Sequence, residues 1–237
     1  MKGSMAKKFS VSEIEKMLFP SVVTFLGDWK KMLADADKFE LKEISLFLTG
    51  VGIRERRKLY SELEKTGINR IHHVHARHDM RSEEYEFFLK KYKTKAFTLH
   101  YQFLKTVYGK KYAKNIFVEN NNGQHRVKKM SDLEKAGGVC IDLSHYMQFK
   151  NHEKRYEVMT VQMADNFIVG CNHMSAVRKN GYSWHYAKNK NELNYVKNIP
   201  RKFFSDNINI ELANPIRQQL EFRKHVAKLL SAVWNKR

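Results

Sequence analysis

Gly138-Val139-Cys140-Ile141-Asp142-Leu143-Ser144-His145 ends an apolar run with a carboxylate and an imidazole three residues apart. A carboxylate oxygen and a neutral imidazole nitrogen are both good ligands for Zn²⁺ or Mn²⁺, and the D-x-x-H spacing lets them converge where a strand opens into a loop. Three further apolar runs end the same way, at Thr98-Leu99-His100, Ile116-Phe117-Val118-Glu119-Asn120 and Ile208-Asn209-Ile210-Glu211. This recurrence decides the fold: several strands deliver polar residues from their C-terminal ends.

Around these runs the periodicity alternates. Strands are predicted at Ile44–Leu48, Arg70–His75, Ala96–His100, Asn115–Glu119, Val139–Leu143, Phe167–Cys171 and Ile208–Leu212, with a weak one at Arg201–Phe204. Helical patterns separate them at Arg54–Thr66, Ser82–Tyr92, Tyr101–Tyr108, Ser131–Ala136, Tyr146–Met163 and Asn191–Val196, and a last helix runs from Pro215 to Val233. Residues 11–37 read as helical, with apolar positions at Ile14, Met17, Leu18, Val22 and Phe25 and a break near Pro20. Eight strands alternating with helices make a single α/β (β/α)8 barrel the leading architecture, because one crevice of an open sheet could hardly collect all these strand ends. Met1–Ser4, ahead of Met5, reads as a tag-like leader, residues 1–43 as that leader plus an N-terminal helical extension, and residues 44–237 as the barrel.

Composition narrows the function. At 237 residues and 42% hydrophobic the chain can bury one sizeable core, and neither a linker nor a Pro-rich segment divides it. Two cysteines, Cys140 and Cys171, both in apolar segments, argue against a disulfide scaffold and fit a reducing cytoplasm. No apolar stretch approaches the roughly 20 residues that span a bilayer, so no membrane partner is expected. No G-x-G-x-x-G or G-x-x-x-x-G-K-[ST] loop is present, which counts against dinucleotide enzymes and P-loop ATPases. Forty-four Lys and Arg against 25 Asp and Glu give a net charge of +19, an excess that fits a polyanionic partner such as DNA. The bland reading is a lysine-rich solvated surface, since the charges are dispersed, with modest clusters at 54–58, 90–95, 105–114 and 188–201.

Glu119-Asn120-Asn121-Asn122-Gly123-Gln124 after one strand and Gly138 to His145 after the next resemble the paired signatures of endonuclease IV, a metal-dependent apurinic/apyrimidinic endonuclease of the xylose-isomerase-like TIM barrel superfamily. The resemblance implies a cluster of two or three zinc ions, with Mn or Mg as substitutes, held by His75, His100, Glu119, Asp142, His145, His173, His185 and Glu211. It implies that Glu119 bridges two ions, that Glu119, Glu211 and His145 are the catalytic residues, and that the protein incises DNA at abasic sites. Arg178 stands where that family has a basic residue, and Ser183 replaces the aspartate of its D-x-H pair. A serine hydroxyl is a poor ligand, which places one ion of the cluster in question.

Sugar or sugar phosphate isomerases and epimerases of the same superfamily are the competing reading. They hold one divalent ion through four residues that Glu119, Asp142, His173 and Glu211 would supply, with the two glutamates shuttling a proton. That reading leaves His75, His100, His185 and the charge unexplained. A catalytically silent binding protein on the same barrel, one that lost a metal ligand yet could still hold a phosphate, is the third class. His73 shares a strand face with His75 and could serve in its place, whereas His125, His152 and His225 read as surface residues. The segment with Arg178, Lys179, Tyr182, Trp184, Tyr186, Lys188 and Lys190 mixes aromatic and basic side chains and is the candidate nucleic-acid contact, a substrate lid being the plainer alternative.

Overall fold

A computed structural model describes residues 8–236; the leader-like Met1–Ser4 lies outside the described residues. The chain begins with α1 (Val11–Glu15), β1 (Leu18–Phe19), β2 (Ser21–Val23), α2 (Trp29–Lys38), β3 (Glu43–Phe47), α3 (Ile53–Leu63), β4 (Arg70–His75), α4 (Ser82–Lys91), β5 (Ala96–Leu99) and β6 (Ile116–Glu119). It continues with β7 (Gly138–Asp142), α5 (Leu143–His152), α6 (Lys154–Asn166), β8 (Val169–Met174), β9 (Ala176–Val177), β10 (Ser183–Trp184), β11 (Ile208–Ile210) and α7 (Ile216–Trp234). Short 3₁₀ turns replace three expected helices, at Tyr101–Val107, Met130–Lys135 and Lys190–Asn198.

The main sheet has the order β1-β11-β8-β7-β6-β5-β4-β3-β2, and every pairing in it is parallel. Its two edge segments, β1 and β2, are separated in sequence by Pro20 alone. The Leu18–Val23 stretch therefore bonds β11 with its first half and β3 with its second, which makes the sheet a nearly closed parallel barrel. Nine segments appear where eight strands are expected because Pro20 splits one course; proline has no N–H to give a ladder, although its carbonyl still accepts from Ser45 N at 2.9 Å. Gln219 of α7 braces the split. Its Oε1 accepts from Ser21 N at 2.8 Å, and its Nε2 faces the carbonyls of Ser21, Leu212 and Asn214 at 3.0 Å each.

The structure also corrects two expectations about the barrel's strands. The helix expected over residues 11–37 is two helices flanking the β1–β2 course, so the barrel begins before residue 44 and the N-terminal segment is no mere extension. Every residue from Met17 to Val23 is buried, as a strand covered on both faces requires and an amphipathic helix does not allow. Arg201–Phe204, expected as a weak strand, makes a 3₁₀ turn at Arg201–Phe203 and pairs with no strand.

Gly138 opens β7 at φ +145°, where a Cβ would collide with the Ile168 carbonyl, so glycine sets the entry to the most informative strand. At the other end Asp142 is the N-cap of α5: its Oδ1 accepts from Ser144 N at 2.7 Å and His145 N at 2.9 Å. One carboxylate oxygen thus ends the strand and starts the helix that carries His145. Because all the barrel strands run the same way, their C-terminal ends share one rim. His75, Glu119 and Asp142 close their strands, His173 lies one residue from the end of β8, and Glu211 follows β11. No helix among the described residues is long and apolar enough to cross a membrane.

Candidate metal centre

Glu119 is the hub, 2% exposed. Its Oε1 lies 3.2 Å from His173 Nδ1 and 3.7 Å from His145 Nδ1. Its Oε2 lies 3.2 Å from His100 Nε2 and 3.5 Å from His75 Nε2. On the His173 side, Glu211 Oε2 stands 3.6 Å from His173 Nδ1 and 3.9 Å from His185 Nδ1, and Asp142 Oδ2 stands 3.5 Å from His145 Nδ1. Two groups bring one ligand atom apiece within 4.8 Å of each other: His75, Glu119 and His173, and Glu119, Asp142, His173 and Glu211.

These donors converge without satisfying one another. Glu119 Oε2, Asp142 Oδ2, Glu211 Oε2 and His185 Nδ1 are buried atoms with no hydrogen-bond partner. A buried polar atom left alone costs about 1–3 kcal/mol, more when charged, so four around one centre call for a cation. The separations fit: an ion held ~2.1 Å from each donor sets neighbouring donors roughly 3.0–3.4 Å apart, near the observed contacts. Electrostatics agrees. Burial, then the Asp142 and Glu119 carboxylates, pushes the Glu211 carboxyl well above the ordinary carboxylate range. Burial would do the same to Glu119, but the surrounding His100, His173 and His75 imidazoles outweigh it and hold that carboxyl well below the usual range. Three carboxylates in a dry pocket are compatible only if a proton or a cation joins them, and a divalent ion serves where a proton would otherwise sit on Glu211.

Behind the donors lies a supporting layer. His173 Nε2 is 3.1 Å from Nε2 of His73, whose own Nε2 is 2.7 Å from Thr98 Oγ1. If His173 offers the Nδ1 lone pair to a metal, its proton resides on Nε2 and is donated to His73, which fixes the ring and its tautomer. His73 thus stands behind the donors, and His75 contacts Glu119. Asn120, fully buried, accepts from Asp142 N through Oδ1 at 2.6 Å and donates through Nδ2 to Asp142 O at 3.2 Å. The residue after the strand-end glutamate therefore locks the neighbouring strand end; its place after Glu119 is the only sequence signal for this.

Burial grades the site from floor to mouth. His173 and Asp142 are fully buried and His75, Glu119 and Glu211 nearly so, whereas the side chains of His100, His145 and His185 are 22%, 18% and 31% exposed. These three imidazoles form the exposed edge of the cluster. Ser183 takes no part: its Oγ donates to Gln148 Oε1 at 2.9 Å and its N–H to the same atom at 3.1 Å. His125, expected at the surface, is half-buried with its ring centroid 4.4 Å from that of His100. At the rim Arg178 lays its guanidinium 4.6 Å from the Trp184 ring centre, and Lys179, Lys188 and Lys190 are exposed. Cys140 and Cys171 are free, buried, and paired in register between β7 and β8. Comparison with protein-family models, curated proteins and solved structures finds no match.

Proposed function

We propose that the protein is a metal-dependent phosphodiester hydrolase that acts on nucleic acid through a dinuclear centre, incising DNA at abasic sites as its resemblance to endonuclease IV implies. The observation that carries this reading is the division of Glu119: one oxygen faces His173, the other His75 and His100. Asp142, His173 and Glu211 would hold one ion with Glu119, and His75 and His100 a second with it. Zinc suits this nitrogen and oxygen set, with Mn²⁺ as a substitute. Bound ions would acidify a water and neutralise charge on the phosphoryl oxygens.

The chain's own residues do the rest. In the metal-free chain burial would lower the His145 pKa, but the Asp142 and Glu119 carboxylates and the Asn120 carbonyl outweigh it and raise it. Standing half-buried at the mouth, His145 is placed to give a proton to the leaving oxygen. With Ser183 standing in place of the aspartate and engaged by Gln148, the pair that would hold a third ion of the endonuclease IV pattern keeps only His185.

One observation favours the alternative, a single-metal sugar or sugar phosphate isomerase: Glu119, Asp142, His173 and Glu211 already form a complete four-residue set. Elemental analysis of protein loaded with zinc and desalted without chelator separates the two. Two ions per chain are expected, falling to one in His100→Ala, together with cleavage of an abasic-site oligonucleotide. One ion in the unaltered protein, unaffected by His100→Ala, with exchange of a keto-sugar C2 proton into solvent, would establish the isomerase instead.

A further inference from the structure

β9 and β10 form an antiparallel hairpin outside the barrel sheet, and the chain leaves it through His185 toward the metal centre. Extended backbone sends alternate side chains to opposite faces. Ser183 and His185 turn inward, to Gln148 and Glu211, while Tyr182, Trp184 and Tyr186 turn outward at 49%, 47% and 41% exposure. Three of the eight large apolar side chains exposed among the described residues thus fall within five positions, so this is a patch and not scatter. Two of the rings are backed: His152 stacks on Tyr182 at 4.4 Å and 14°, and Arg178 covers Trp184. Backing holds a ring upright and leaves its other face for a ligand.

The charge around the hairpin identifies that ligand. Lys179, Lys188 and Lys190 are exposed, and among the described residues no carboxylate lies within ion-pair distance of their ammonium groups, although Glu192 Oε2 accepts from the Lys188 backbone N–H at 2.9 Å. Lys90 and Lys111, by contrast, pair with Glu86, and Lys91 with Glu64. Planar faces interleaved with unmatched cations suit bases joined by phosphates. Exposed ring faces select the strand state, because a base inside a duplex is already stacked on its neighbours and has no free face to offer them.

We propose that the Tyr182-Trp184-Tyr186 ladder, with Lys179, Lys188 and Lys190, binds single-stranded nucleic acid and feeds an unpaired strand to the metal centre. The hydrolytic fate of that strand rests on the phosphodiesterase reading; the binding does not. A fluorescein-labelled 16-mer of deoxythymidine and a hairpin duplex of equal phosphate number are titrated by anisotropy, in EDTA and in zinc. The single strand should bind at least tenfold more tightly in both, and should quench fluorescence from Trp184. Trp184→Ala should weaken single-strand binding about tenfold, with duplex binding unchanged, and Trp184→Phe should restore the affinity without the quench. Equal or tighter duplex binding, or indifference to Trp184→Ala, would overturn the proposal. So would binding of a neutral oligosaccharide to the ladder in place of the oligonucleotide. If single-strand binding depends on Trp184 but no phosphodiester is cleaved, the function above is lost and this inference stands; if cleavage proceeds without ladder-dependent binding, the function stands and this inference is lost.

Discussion

At the scale of single residues, Asp142 divides its two oxygens between architecture and chemistry. Oδ1 caps α5, while Oδ2 is buried and unbonded, facing the centre. His173 is divided in the same way between Glu119 and His73. Removing the acceptor behind it should loosen the metal without deleting a ligand: His73→Phe should lower zinc affinity by about 10–100-fold, measured by competition with a chromogenic chelator, and His73→Gln, which keeps an acceptor, should recover part of it. Undiminished affinity in His73→Phe would rule out this supporting role. Burial pushes the His75 imidazole down to about 4, despite the nearby Glu119 carboxylate. Between its ordinary 6.5 and that value the unfolded chain binds a proton that the folded chain refuses. The contribution is therefore complete above pH 6.5 and is lost as pH falls toward 4, on the order of 3 kcal/mol over the interval. Urea melts of metal-free protein at pH 7 and pH 4.5 should show the loss, and His75→Asn should flatten it.

At the scale of elements, the strand-end residues are legible in the sequence because each sits beside its own apolar run, and the strands at Arg70–His75 and Ile116–Glu119 lie where alternation places them. The first course is not, because Ile14, Met17, Leu18, Val22 and Phe25 also satisfy a helical period. Pro20 and the unbroken apolar stretch around it are the competing signal. The helix expected over Tyr146–Met163 is interrupted at Glu153, whose backbone leaves the helical region at φ −138°, ψ 64° and whose carboxylate accepts from Asn122 Nδ2 at 3.0 Å. Closure by a split course makes Gln219 critical. Gln219→Leu should strand the buried Ser21 amide and cost about 2–4 kcal/mol, seen as a lower urea midpoint at unchanged slope. A variant as stable as the parent would show that the barrel closes without this brace.

At the scale of the whole molecule, the net charge of +19 is not one uniform field. Arg56, in the basic cluster at 54–58, is wholly buried, its Nε 2.7 Å from Glu84 and its Nη1 3.0 Å from Asp79, clamping α3 to the start of α4. Lys90, Lys91 and Lys111 pair with Glu86 and Glu64, so those clusters are partly neutralised. The Lys179, Lys188 and Lys190 ammonium groups have no ion pair among the described residues. Replacing Lys179, Lys188 and Lys190 together by Gln should reduce the log–log salt slope of single-strand binding by about 2, at roughly 0.7 per phosphate contact, and leave bound zinc unchanged. A slope that does not move would place the nucleic acid elsewhere.

The sequence alone determined the alternation of strands and helices and the run of His, Glu and Asp at strand ends, because hydrophobic period, capping and strand termination act over a few neighbouring residues. Only the tertiary structure decided that Leu18–Val23 completes the barrel, since its pairing with β11 joins residues nearly 200 positions apart. It also decided which of His73 and His75 meets Glu119, which Glu119 oxygen faces which histidine, and that Ser183 belongs to Gln148. Such choices depend on distances of a few ångströms between side chains on different strands, which no local pattern encodes.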